Sequence, residues 1–94
     1  METTSLETSK RILELSGWLP DVTHPVAGEL YTLAYLLGKL PSGYTVVTRF
    51  NKEWMASWAP RADAPDYAEL ASTPTEATGL LAIKLLEEGI ISHE

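Results

Sequence analysis

The stretch STPTEATGLLAIKLLEEG, Ser72 to Gly89, specifies a helix more completely than any other part of this chain, so the fold must bury its apolar side. Thr73 suits the N-cap, Pro74 the first helical position and Glu76 the third, the spacing of a capping box. Gly89 can close the far end. At about 100° per residue Leu81, Ala82, Leu85 and Leu86 group on a broad face, whereas Glu76, Lys84, Glu87 and Glu88 lie opposite. Leu80 falls among those charges. The free backbone donors of such a helix start can bind an anion, but a carboxylate at Glu76 occupies them and repels one. Capping is the better reading. Glu87 and Glu88 oppose the macrodipole at the C-terminal end, an inconsistency that is either functional or, more commonly, tolerated by solvent.

Upstream, Thr4 and Glu7 have a capping spacing that predicts a first helix from Thr4 to Gly17, with Trp18 packing back on Leu13. "LPDVTHP" then turns the chain, and Thr23 or His24 caps a second helix with Pro25 in its first turn. Val26, Leu30, Leu33, Leu37 and Leu40 recur at intervals of three and four as its core stripe, beside Tyr31 and Tyr35. Pro41-Ser42-Gly43 stops it. Tyr44–Phe50, "YTVVTRF", alternates and is rich in β-branched and aromatic residues, and "NKE" connects it to a second strand, Trp54–Ala59. A shorter third strand is expected at Tyr67–Ala71. The expected fold class is α+β, order α-α-β-β-β-α, a three-stranded antiparallel meander covered by helices.

Ninety-four residues with 45% hydrophobic and 21% charged composition form one domain, 1–94, with fraying expected at 1–5 and 91–94. The formal net charge of −6 disfavours nucleic acid and anionic membranes as direct partners, and favours a basic protein. No cysteine is present, so neither a disulfide framework nor a thiolate metal site is available. The polar, acidic start is unlike a signal peptide. A cytoplasmic protein is expected, in the host cytoplasm if phage-encoded.

Catalytic candidates are sparse. His24, with Asp21 or Glu29 near in sequence, has the chemistry of a proton-transfer group, but its place beside a proline is that of a cap. An enzyme or small-molecule protein would set its pocket near His24, Tyr31 and Tyr35. His24 and His93 have no metal-ligand spacing, and no phosphate-binding glycine motif occurs. No catalytic, cofactor or metal residue is assigned. Trp54 and Trp58 share one face of a strand and are either core or a binding hot spot that would also serve a homodimer. The candidate interface is therefore Trp54, Trp58, Leu80, Lys84, Glu87 and Glu88.

The combination of "YTVVTRF", "EWMASW", "YAELASTPTEA" and "LLAIKLL" resembles the uncharacterised bacteriophage proteins grouped as the phage ABA sandwich domain, over roughly Val26 to Leu86. That resemblance implies a phage setting and a helix-sheet-helix fold, and carries no catalytic residues. Thr73, Pro74 and Ala77 match its "TP-x-x-A" segment, while the leucine-rich helix before the sheet is longer here. "WAPRADAPDYAELASTPTEA", Trp58 to Ala77, is also similar to HicB-like antitoxin domains, which would imply a toxin partner; the DNA-binding segment of that family has no counterpart. The reading is a small acidic accessory protein that binds another protein, with inhibition of a host defence complex as its concrete form.

Overall fold

The last helix is the element on which the others assemble. In the computed structural model, which describes residues 2–91, α3 (Pro74–Glu87) packs against a sheet of β3 (Tyr44–Phe50), β4 (Glu53–Ala59) and β5 (Tyr67–Ala71). It also packs against α1 (Leu6–Ser16) and, less extensively, α2 (Leu33–Lys39). Ala77, Leu81 and Leu85 of α3 meet Ala56, Trp58 and Ala71 of the sheet in one buried cluster. Ala82 joins Ile12, Trp18, Tyr31 and Leu36 in a second, with Ile83 and Leu86 at its margin. A helix apolar on nearly all sides is one that is covered on nearly all sides. The class is α+β as expected, but the layering differs: α3 lies between the sheet and the other helices, and the sheet does not lie between helices. Neither α1 nor α2 packs on β3, β4 or β5.

The expected second helix is replaced over its first half by a hairpin. β1 (Val22–His24) pairs antiparallel with β2 (Gly28–Leu30), and α2 starts only at Leu33. His24 Nδ1 accepts hydrogen bonds from the backbone N–H groups of Val26 and Ala27 at 3.1 and 2.9 Å, closing the turn around Pro25. Gly28 completes it at φ 95°, a conformation costly for a residue with a Cβ. The Asp21 carboxylate accepts from Thr32 N and Oγ1, fixing the residue that caps α2. The leucine stripe is thereby split. Val26 sits 91% exposed at the hairpin tip, Leu30 is buried in β2, and Leu36 rather than Leu37 faces the core.

Both expected capping boxes are also rewired. Ser5, not Thr4, caps α1, its Oγ accepting from Thr8 N at 3.2 Å. Thr4 is 1% exposed: its N–H donates to Tyr31 O, and its Oγ1 accepts from Tyr31 N and bonds Ser9 Oγ. Thr4 and Ser5 are thereby hydrogen-bonded into the fold. At α3, Thr73 Oγ1 accepts from Glu76 N, but the Glu76 carboxylate turns away to α1. It accepts from Ser5 N at 2.8 Å, Ser5 Oγ at 3.1 Å and Thr8 Oγ1 at 2.5 Å, capping a neighbouring helix in place of its own. At the other end Gly89 closes α3, and Ile90 and Ile91 donate to Leu85 O and pack partly on the core. The remainder of that terminal segment lies outside the described residues.

Candidate functional site

The β3–β4–β5 meander forms in the expected strands, in continuous antiparallel register. Because successive side chains alternate between faces, Thr45, Val47 and Arg49 of β3 share the α3 side with Trp58, Ala56 and Trp54. Tyr44, Val46, Thr48 and Phe50 point the other way, level with Ala59, Ser57, Met55 and Glu53 of β4; Ala68 and Leu70 of β5 extend the same face. No helix or second sheet among the described residues packs on it, although Ser57 and Ala59 at its centre are buried. Tyr44 is 59% exposed, Val46 50%, Phe50 51% and Leu70 44%. Half-exposed side chains of this size each leave on the order of 100 Å² in water, giving a patch of roughly 400 Å², a size often functional on a monomer.

Small residues shape the patch. Ser57 and Ala59 floor a groove of about 420 Å³ between the Tyr44 and Val46 side chains and the loop carrying Arg61, Ala62, Ala64 and Asp66. Of the strand positions on this face only Glu53 carries a charge at neutral pH, and it lies opposite Phe50 at the hairpin end. Arg61 and Asp66 both line the groove on its loop side.

The candidates drawn from sequence fall elsewhere. Trp58 is 4% exposed in the α3-facing core, with its Nε1 donating to Pro41 O at 3.0 Å, so it is core and not interface. Trp54 is half-buried on the same side beneath the Arg49 guanidinium, 5.6 Å from its ring centroid. Leu80 is half-buried against the sheet-side core and lines a groove between α1 and α3 with Lys10, Arg11 and Ile83. Glu87 is engaged by Arg11 Nη2 at 2.9 Å, which accounts for an acid at a helix C-terminus without any outside partner. Lys84 and Glu88 are exposed, on α3 and at its C-cap. The six residues therefore do not form one surface: Trp58 lies inside, Trp54 and Leu80 are half-buried against the same core, and only Lys84, Glu87 and Glu88 are exposed.

Tyr31 and His24, expected beside a small-molecule pocket, both bond to neighbouring backbone within the fold. Tyr31 is fully buried, and its phenol donates to Trp18 O at 2.5 Å. Burial, then the negative potential of Tyr35, Glu29 and Asp21, pushes its pKa up to about 12. His24 is occupied in the hairpin turn. A cleft of about 570 Å³ does open elsewhere, lined by Trp58, Tyr67, Pro60, Pro65 and Ile90 with Asp66 at its rim.

Tyr44, Val46, Phe50 and Leu70 were the residues missed. Their alternation was legible, but it does not say which side is covered. The signal lay in α3: Leu80 among charges implied packing on more than one side, leaving too little helix surface for two sheet faces. Among the described residues no group of three or more His, Cys, Asp or Glu is placed to hold a metal, and no helix is long and apolar enough to cross a membrane. In comparisons with protein-family models, curated proteins and solved structures, nothing matches this chain.

Proposed function

We propose that this chain is a non-catalytic binding protein that docks an amphipathic, basic helix of a partner protein on the open face of β3–β5. The observation that carries the reading is the exposure of Tyr44, Val46, Phe50 and Leu70 on one uncovered sheet face. Within domains such a face is covered by a helix or a second sheet; here the cover would come from outside. Glu53 opposite Phe50 on the patch, and the net charge of −6, favour a helix carrying Lys or Arg. A phage-encoded inhibitor of a host defence complex is the concrete form of this proposal. It draws on small size and acidity.

The test captures partners from bacterial lysate with the wild-type chain and with Val46→Asp and Leu70→Asp variants, then measures affinity for the identified partner. The proposal expects at least tenfold weaker binding by either variant, with unchanged circular dichroism. Equal binding by the variants, or binding lost instead on Lys84→Glu, would move the site away from the sheet. A small-molecule reading is favoured only by the Trp58–Tyr67 cleft, whose volume suits a ligand pocket. A small molecule retained in native mass spectrometry and lost on Tyr67→Ala would support it.

A further inference from the structure

β3 is an outer strand of the sheet, and its side away from β4 has no strand partner among the described residues. Natural proteins protect such edges with proline, charge, bulges or short length. β5, the opposite edge, does so: it has five residues, follows Pro65 and carries Glu69. β3 does not. It has seven residues, pairs one for one with β4 without a bulge, contains no proline, and carries a single charge at Arg49.

Its side chains, YTVVTRF, also read nearly the same in both directions by class. If a second copy pairs antiparallel with Val47 opposite Val47, Tyr44 faces Phe50, Thr45 faces Arg49 and Val46 faces Thr48. Aromatic meets aromatic at both ends, β-branched residues meet in the middle, and no like charges are opposed, the combination that favours cross-strand pairing. A register centred on Arg49 would instead set two guanidinium groups against each other.

We propose that two copies of this chain join through their β3 edges, antiparallel about a twofold axis at Val47, to make one six-stranded sheet. The axis is perpendicular to the sheet, so both α3 helices lie on one side and both open faces on the other. The docking face is doubled and made continuous. Seven-residue edges bury less than a standard interface, so the dimer forms reversibly with concentration.

Sedimentation velocity of the full chain from ~1 µM to ~1 mM tests this. The wild type is expected to pass from monomer to dimer mass over that range. Thr45→Arg, which opposes Arg49 of the second copy, is expected to weaken the dimer at least tenfold, and adding Arg49→Glu to restore it. A wild type that stays monomeric at ~1 mM overturns the inference, as does a Thr45→Arg chain that dimerises normally. Register is read separately, because the chain has no cysteine of its own. On oxidation, V46C mixed with T48C should give the mixed disulfide, whereas V46C linking to itself in preference would refute the Val47-centred pairing. A monomeric wild type whose open face still binds its partner would overturn this inference alone and leave the binding reading standing.

Discussion

Replacing Gly79 by alanine tests whether α1 and α3 meet as closely as the fold requires. A Cβ built at Gly79 lies 2.7 Å from Thr4 Cγ2 and 3.0 Å from Thr8 Cγ2, with Ile12 Cδ1 at 3.5 Å. In an open helix the substitution would gain about 1 kcal/mol of propensity. Here neither threonine is free to yield. Thr4 Oγ1 accepts from Tyr31 N and, because Ser9 Oγ donates its proton to Ser5 O, must donate its own to Ser9. Thr8 is held by the Glu76 carboxylate. Overpacking a fixed site costs about 1–3 kcal/mol, and two contacts this short belong in the upper part of that range. The net expectation is a loss of about 1–2 kcal/mol, which in a domain of this size lowers Tm by about 4–8 °C per kcal/mol. Urea denaturation followed by far-UV circular dichroism measures it. Thr4→Ser removes the nearer methyl and keeps the hydroxyl, so the Gly79→Ala, Thr4→Ser double variant should return to within about 0.5 kcal/mol of Thr4→Ser alone. If Gly79→Ala alone proves neutral or stabilising, the close crossing of α1 on α3 is wrong.

Three further outcomes follow from the same contacts. Glu76→Ala deprives α1 of three hydrogen bonds to a carboxylate, one of them from a half-buried hydroxyl, and should cost about 1–3 kcal/mol in urea denaturation. Tyr31 is un-ionised in the fold with a pKa raised from 10.0 to about 12, so its contribution is complete below pH 10 and is lost as pH rises through 12. Stability should fall by about 3 kcal/mol across that window, and Tyr31→Phe should remove that part of the alkaline dependence. Trp58→Ala should destabilise by about 3 kcal/mol or more as a core truncation, whereas Val46→Ala on the open face should stay within about 0.5 kcal/mol.

What the sequence made legible was local. Thr73, Pro74 and Gly89 bound α3 as their cap chemistry requires, and the alternation of YTVVTRF and WMASWA gave β3 and β4 to within a residue. The failures arose where a side chain had a choice of partners. Glu76 satisfied α1 instead of its own helix, and Asp21 and His24 turned a leucine-periodic segment into a hairpin. Periodicity at three and four cannot register those bonds, because they join groups up to 71 positions apart. The candidate site failed for a related reason: Trp54 and Trp58 drew attention by size, yet large aromatics are what a small sheet needs in its core. The exposed face is made of ordinary strand residues, Val46, Phe50 and Leu70, whose meaning depends on which side α3 takes.

Methyl NMR of the dilute chain with a soluble nitroxide reads that choice directly. The Val46 and Leu70 methyls should be strongly relaxed and those of Leu81 and Leu85 protected, because the first pair lies on the uncovered face and the second in the core. Addition of the partner should then shield Val46 and Leu70 selectively. Protection of Val46 and Leu70 equal to that of Leu81 in the free chain, or their continued relaxation in the saturated complex, would contradict the open sheet face as the working surface of this protein.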